Sequence, residues 1–343
     1  MATDGILSCL FQRRVLAIKT LDELDALFSA RERLQPQLQA VRTFKVALEA
    51  PPDEEDQQYW LSVLKETFDL LALEGGWKLQ VMELELPGFC ETAYNSFGED
   101  ISTTVFKGLE HFVSLSVPHA ALVGFLSHQS SLKILNLGDT ICKLQCPLKL
   151  RQVKGIVSVR CAASCLRAVL VGKYVFRARI TDAARLRNDP PSFTSILTNL
   201  RRVSSSLTRL DLTFPSSEMD VVSLVASAAP LLVNLALTEI EAHDATDLST
   251  VRPWQCSRTW SKQLKQLPRL QYLKLKTSCF SLPETGYLPD LWFCHPRLFT
   301  STPESIEVWH CNVPSQINAK HTWLLDECGV HYVYDLLDGS GYF

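Results

Sequence analysis

The sequence predicts an α/β solenoid, a parallel sheet flanked by outer helices and built from units of uneven length. Three observations carry that prediction. A phrase of Leu, two residues, Leu, one residue, Leu occurs four times, at Leu132–Leu137, Leu207–Leu212, Leu232–Leu237 and Leu270–Leu275. Alternate residues of an extended chain share a face, so each phrase reads as a short strand with one buried side. The segments between phrases carry apolar residues at the three- and four-residue spacing of amphipathic helices. Composition agrees, since 46% of the 343 residues are apolar and 21% charged, which excludes a disordered chain.

The elements follow in order. Val15–Ile18 reads as a strand, and Asp22–Leu34 as a helix with Leu24, Leu27 and Phe28 on its buried side. Allowing β-branched and aromatic residues, the phrase recurs at Val41, Phe44 and Val46 within a strand over Val41–Leu48. Ala50–Asp56, acidic and carrying Pro51 and Pro52, reads as a loop before a helix over Tyr59–Leu73. The next copies are Val81, Leu84 and Leu86, then Phe112, Leu115 and Val117. A helix over 118–128, with Leu122, Phe125 and Leu126 inward, leads to the strict copy at 132–137. Ile156, Val159 and Cys161, or Leu166, Val169 and Val171, offer weaker copies. Arg187–Ser192 reads as a loop before the phrase at 207–212. Ser217 is placed to cap a helix with Glu218 and Asp220 in its first turn and Val221, Leu224 and Val225 buried. Pro230 stops that helix before the strand at 232. Polar residues 242–256 and the proline-broken stretch 281–303 read as insertions around the phrase at 270–275, and Ile306 and Val308 mark the last copy.

The middle residues of these copies fall at 44, 84, 115, 135, 159 or 169, 210, 235, 273 and 306. This phrase is the leucine-rich-repeat signature, whose regular forms keep a period of about 20–29 residues. The wider spacing here predicts an irregular leucine-rich-repeat solenoid with a parallel concave sheet and outer helices. The domain reading is an N-terminal extension over 1–12, the solenoid over 13–336 and a tail over 337–343.

The phrase, its uneven period and the helix, proline, strand units together resemble the leucine-rich-repeat region of fungal F-box-type proteins, over roughly residues 13–336. The resemblance implies a substrate receptor. In that family a short helical F-box precedes the repeats and docks on the adaptor of a cullin-RING ubiquitin ligase, while the repeats select the substrate. This sequence departs from the pattern at its start. Residues 1–12 are too few for an F-box, and the first Leu-Pro pair is Leu86-Pro87, at the end of a predicted strand. An adaptor partner is therefore expected only with an F-box upstream.

Other function classes find little support. A net charge of −3 argues against a nucleic-acid partner, which calls for a basic face. No apolar run approaches the roughly 20 residues that span a bilayer, so no membrane association is expected. Eleven scattered cysteines without a secretion signal point to reduced thiols and a cytoplasmic or nuclear protein. Gly75-Gly76 precedes a strand, and Gly172-Lys173 is followed by Tyr174 where a phosphate loop needs Ser or Thr. Cys294-His295 and His310-Cys311 lack an acid that would complete a catalytic set. The expectation is no enzyme, no catalytic residue and no cofactor, with an enzyme built on the Cys/His residues at 294–311, or a degenerate non-binding repeat, as the alternatives.

Two cysteine pairs share a four-residue spacing, Cys142 with Cys146 and Cys161 with Cys165. Four thiolates suit a tetrahedral zinc. Cys161, however, occupies a core position of the phrase, and neither pair has the tighter Cys-x-x-Cys form. The expectation is core packing as small hydrophobes and no metal ligand.

The residues between the leucines, and the residue just after the phrase, are expected to face the concave side. That row reads Thr43 and Lys45, Glu83 and Glu85, Ser114 and Ser116, and Asn136. It continues with Arg209 and Asp211, Asn234, Tyr272, Lys274 and Lys276, and ends with Glu307 and Trp309. Glu83, Glu85, Asn136, Arg209, Asp211, Asn234, Tyr272, Lys274, Lys276, Glu307 and Trp309 are the candidate partner-binding residues. Tyr272 and Trp309 are the aromatic anchors of the type that dominate protein interfaces. The partner is expected to be a protein, its identity open.

Overall fold

The structure is a computed structural model that describes residues 10–138, 142, 146–148, 153, 155–170, 174–181, 193–215, 218–240, 257–277, 305–310, 319–326 and 329–336. The chain forms two compact units, one ending at Tyr174 and the other beginning at Val175. Each contains a mostly parallel sheet whose strands follow chain order, with helices in the connections.

In the first unit a hairpin of β1 (Phe11–Gln12) and β2 (Val15–Ile18) starts the sheet. Then β3 (Thr43–Ala47), β4 (Val81–Glu85), β5 (His111–Ser114), β6 (Ile134–Asn136) and β7 (Ser158–Cys161) each pair parallel to the strand before. The helices are α1 (Leu21–Ser29), α2 (Gln35–Leu38), α3 (Glu54–Gly75), α4 (Glu91–Ile101), α5 (His119–His128) and α6 (Leu166–Leu170), the last preceded by a 3₁₀ turn over Ala163–Cys165. In the second unit β8 (Arg177–Ile180), β9 (Arg209–Pro215), β10 (Asn234–Ile240), β11 (Tyr272–Thr277) and β12 (Ser305–His310) are parallel neighbours in that order. Then β13 (Ala319–Asp326) and β14 (Gly329–Leu336) continue the sheet antiparallel. Its helices are α7 (Phe193–Arg201), α8 (Val221–Ala228) and α9 (Ser257–Leu264).

The phrases form the strands for the reason the spacing predicts. All twelve leucines of the four strict copies are at most 2% exposed, while the residues between them reach solvent. Burying a leucine side chain is worth about 1.5–3 kcal/mol, so the copies fix which side of the sheet the helices cover. In the first unit that core is aromatic. The ring of Phe68 on α3 meets Phe44, Phe97, Phe106 and Phe125 at centroid distances of 5.7, 5.7, 6.2 and 6.3 Å. Gln129, fully buried, spends its hydrogen bonds on backbone: Oε1 accepts from the Phe106 N–H, and Nε2 donates to the carbonyls of Thr104 and Phe125. A buried polar group costs little only when satisfied in this way.

Several boundaries and registers differ from the expectation. Helix α1 is fixed at its start by a reciprocal cap between Thr20 and Glu23 and ends at Ser29, short of Leu34. The acidic run at 54–56 is the first turn of α3, where carboxylates meet the positive end of the helix dipole, so only its proline half is loop. Helix α8 begins at Val221, leaving Glu218 and Asp220 ahead of it, and Ser217 lies outside the described residues. The copies centred on 84 and 115 are out of register. Phe44 pairs with Met82, and Met82 with Phe112, so the true middle residues are Met82 and Phe112. The offset arises because Leu79, Leu84 and Leu86, and likewise Leu109 and Leu115, offer a second set of apolar residues at matching steps. Of the two weak copies, Val159 is the strand, and the segment around Val169 is helix α6. Strand β8 and the antiparallel pair β13–β14 carry no recognisable phrase. The loops expected at 187–192, 242–256 and 281–303 lie outside the described residues.

Candidate functional site

The open face of the second unit's sheet is set by strand register. One row crosses the strands as Arg177, Arg209, Asn234, Tyr272 and Ser305, and the next as Arg179, Asp211, Ala236, Lys274 and Glu307. All of these except Arg179 line a shallow cleft of about 300 Å³. The structure thus brings six of the predicted residues together, Arg209, Asp211, Asn234, Tyr272, Lys274 and Glu307. Lys276 and Trp309 pair with each other in a third row of the backbone register.

The charges on this face are largely answered from neighbouring strands. Arg179 reaches Asp211 at 3.2 Å and Lys274 reaches Glu307 at 3.7 Å. Arg177 and Arg209 sit directly across from each other and, among the described residues, neither has an ion-pair partner. Tyr272, 38% exposed, stands in the same row. Arg177 and Arg179 escaped the sequence reading because β8 has Ala178 at the middle position, where the phrase has leucine.

In the first unit Glu83 lies on the open face but is held by Lys45 at 2.8 Å, and Glu85 is exposed beside a separate cleft lined by Lys19, Ala47 and Pro87. Asn136 is committed locally, since its Oδ1 accepts from the backbone N–H of Gly138, which takes a φ of +58°. Two row assignments are corrected by the register. Ser114 pairs with Leu84 and is buried, and the Ser116 hydroxyl accepts from the Leu86 N–H. Leu115, 40% exposed, takes the open-face position instead. His111 lies near the Lys45–Glu83 pair, and desolvation holds its pKa below 6.5, with Glu83 opposing and Lys45 assisting.

A second constellation is a thiol and imidazole cluster in the first unit. His119 opens α5, Cys142 and Cys146 follow β6, and Cys165 closes the 3₁₀ turn after β7. Their ligand atoms all lie within 4.8 Å of one another. His119 Nδ1 stands 3.1 Å from Cys142 Sγ, 3.6 Å from Cys146 Sγ and 3.3 Å from Cys165 Sγ, and the sulfurs of Cys142 and Cys165 are 3.8 Å apart. Cys146, Cys165 and His119 are buried and Cys142 is half-buried. Contacts with Cys142 and then Cys165 lower the Cys146 thiol, while contacts with Cys142 and Cys146, together with burial, raise Cys165.

The cysteines were expected to pack in the core as small hydrophobes, and Cys146, Cys161 and Cys165 are buried there. Cys161 stands apart in β7, while the other three converge on His119, a residue the four-residue spacing of the cysteine pairs did not point to. The signal was there in the spacing. His119 to Cys142 and Cys142 to Cys165 are both 23 residues. The Cys/His residues at 294, 295 and 311, and the side chain of His310, lie outside the described residues.

No family model matches the chain, and no curated protein matches it. Among solved structures it is similar to a chain in the crystal structure of the Rad7 and Elc1 complex in yeast, at 12% identity and a TM-score of 0.32, over 71% of this chain and 75% of that one. No helix among the described residues is long and apolar enough to cross a membrane.

Proposed function

We propose that the chain is a leucine-rich-repeat interaction module, binding rather than catalytic, whose second unit takes an acidic segment of a protein partner on its open sheet face. The observation that carries this is the Arg177–Arg209 pair beside Tyr272. Like charges directly across a strand pair are unfavourable, and here the neighbouring ion pairs leave these two cations without a carboxylate among the described residues. A partner carboxylate accepts bidentate hydrogen bonds from such guanidinium groups, and an exposed tyrosine supplies the contact area typical of an anchor.

A substrate-receptor role of the F-box kind is the finer form of this reading and rests on the repeat resemblance. A cluster of reduced thiols suits the cytosol or nucleus. The test is affinity capture from native lysate with the wild-type chain and with an Arg177→Ala, Arg209→Ala, Tyr272→Ala variant of unchanged circular dichroism. The expected result is a partner retained by the wild type and lost, at least tenfold, by the variant. Equal retention by both would place binding elsewhere. A cullin-RING adaptor in the captured complex would support the receptor form.

A further inference from the structure

We propose that His119, Cys142, Cys146 and Cys165 form a tetrahedral zinc site that staples three successive strand–connection units of the first sheet. The inference is independent of the partner-binding reading, which concerns the other unit.

The geometry points to a single ion. With Zn–S near 2.3 Å and Zn–N near 2.0–2.1 Å, a tetrahedral site sets ligand atoms apart by about 3.8 Å for two sulfurs and about 3.6 Å for nitrogen and sulfur. The observed separations are 3.8 Å between Cys142 and Cys165, and 3.1, 3.3 and 3.6 Å from His119 Nδ1 to the three sulfurs. An iron–sulfur core would hold its thiolates farther apart, because the core itself lies between them. Three thiolates and an imidazole in tetrahedral array are a ligand set that zinc prefers over harder, oxygen-seeking cations.

The placement follows from the repeat. His111, Ile134 and Ser158 are paired across β5, β6 and β7. His119 comes eight residues after His111, Cys142 eight after Ile134, and Cys165 seven after Ser158. Three ligands therefore occupy equivalent places in successive units and stack as the strands do, and Cys146 supplies the fourth from the same connection as Cys142. Between β6 and β7 no helix occurs among the described residues, whereas α4 and α5 fill the two connections before it. An ion at this place would tie the described residues of that connection to the units on either side of it.

The surroundings support the ligands as well. Ser164 Oγ lies 3.6 Å from Cys165 Sγ while accepting from the Cys142 N–H at 3.3 Å. Such outer hydrogen bonds orient metal-bound thiolates. With zinc bound the three cysteines are thiolates, their protons having passed to solvent, and the site carries a net charge of −1.

The test uses the full chain purified under reducing conditions, with metal content measured by elemental mass spectrometry and the demetallated chain titrated with Co(II). One zinc per chain and an intense visible cobalt spectrum of tetrahedral type, with a thiolate charge-transfer band, are expected. Cys165→Ser and His119→Ala should weaken cobalt binding by at least tenfold, and Cys161→Ser should leave it unchanged. A wild-type chain free of metal and without a tetrahedral cobalt spectrum would overturn the proposal, as would a Cys142–Cys165 disulfide, or equal loss of cobalt from Cys161→Ser. The wild-type cobalt spectrum decides the matter even where a ligand variant fails to fold.

Discussion

Single residues carry consequences that can be read directly. Arg13 and Arg14 join β1 to β2 with φ of +48° and +74°, the left-handed region in which a non-glycine residue costs about 1–2 kcal/mol. A two-residue hairpin with both central φ positive favours Asn-Gly. Arg13→Asn with Arg14→Gly should therefore raise the urea midpoint, by about 1 kcal/mol of stability. His111 makes a pH prediction. Its folded pKa lies below 6.5 because burial disfavours the cation. Stability linked to it is complete above the unfolded value and falls as pH drops through the folded one. His111→Asn should flatten the acid side of the stability–pH profile below about pH 6.5, as measured by denaturant melts at successive pH values. An unaltered acid slope would contradict the desolvated histidine.

At the scale of elements, helix stacking sets the tolerance. Gly98 on α4 faces Ala121 on α5 so closely that an added Cβ would lie 2.6 Å from the Ala121 Cα and carbonyl oxygen. The backbone cannot yield as a flexible side chain would, so Gly98→Val should destabilise the first unit by about 1–3 kcal/mol or more, read from its thermal midpoint. Phe68→Ala removes the ring that touches four other phenylalanines and should cost about 3–5 kcal/mol. Strands were legible wherever leucine filled the phrase, and Leu132, Leu207, Leu232 and Leu270 each sit where their spacing places them. Legibility failed where apolar residues were too many or too few. Leu79, Leu84 and Leu86 allow two registers, and only pairing with β3 selects one. Ala178 gives β8 too little hydrophobic signal. The antiparallel pair β13–β14 follows no repeat logic at all, since it extends the sheet by hairpin rather than by crossover.

For the whole molecule, the sequence divides its information unevenly between fold and site. Core positions are dictated by burial and show through a single chain. The open-face residues obey only alternation, so their rows were recovered where the register was right, as at Arg209, Asn234 and Tyr272, and lost where it was not, as at Ser114. The three cysteines of the cluster stood out in the sequence as members of two pairs, whereas the place of His119, in the position offered by Cys161, shows only when the units stack. Charge on the open face belongs to this scale too. The Lys45–Glu83, Arg179–Asp211 and Lys274–Glu307 pairs are partly exposed and contribute about 0–1 kcal/mol each. Added salt should therefore leave the unfolding midpoint nearly unchanged while weakening capture of an acidic partner, as measured by retention at increasing ionic strength. The most direct test of the binding account is site-specific photo-crosslinking in lysate, with a benzophenone amino acid placed at Tyr272 on the open face or at Ser223 on α8. A discrete covalent adduct is expected from position 272, absent at 223 and suppressed by Arg177→Ala with Arg209→Ala. An adduct from 223 alone, or one from 272 indifferent to the arginines, would contradict it.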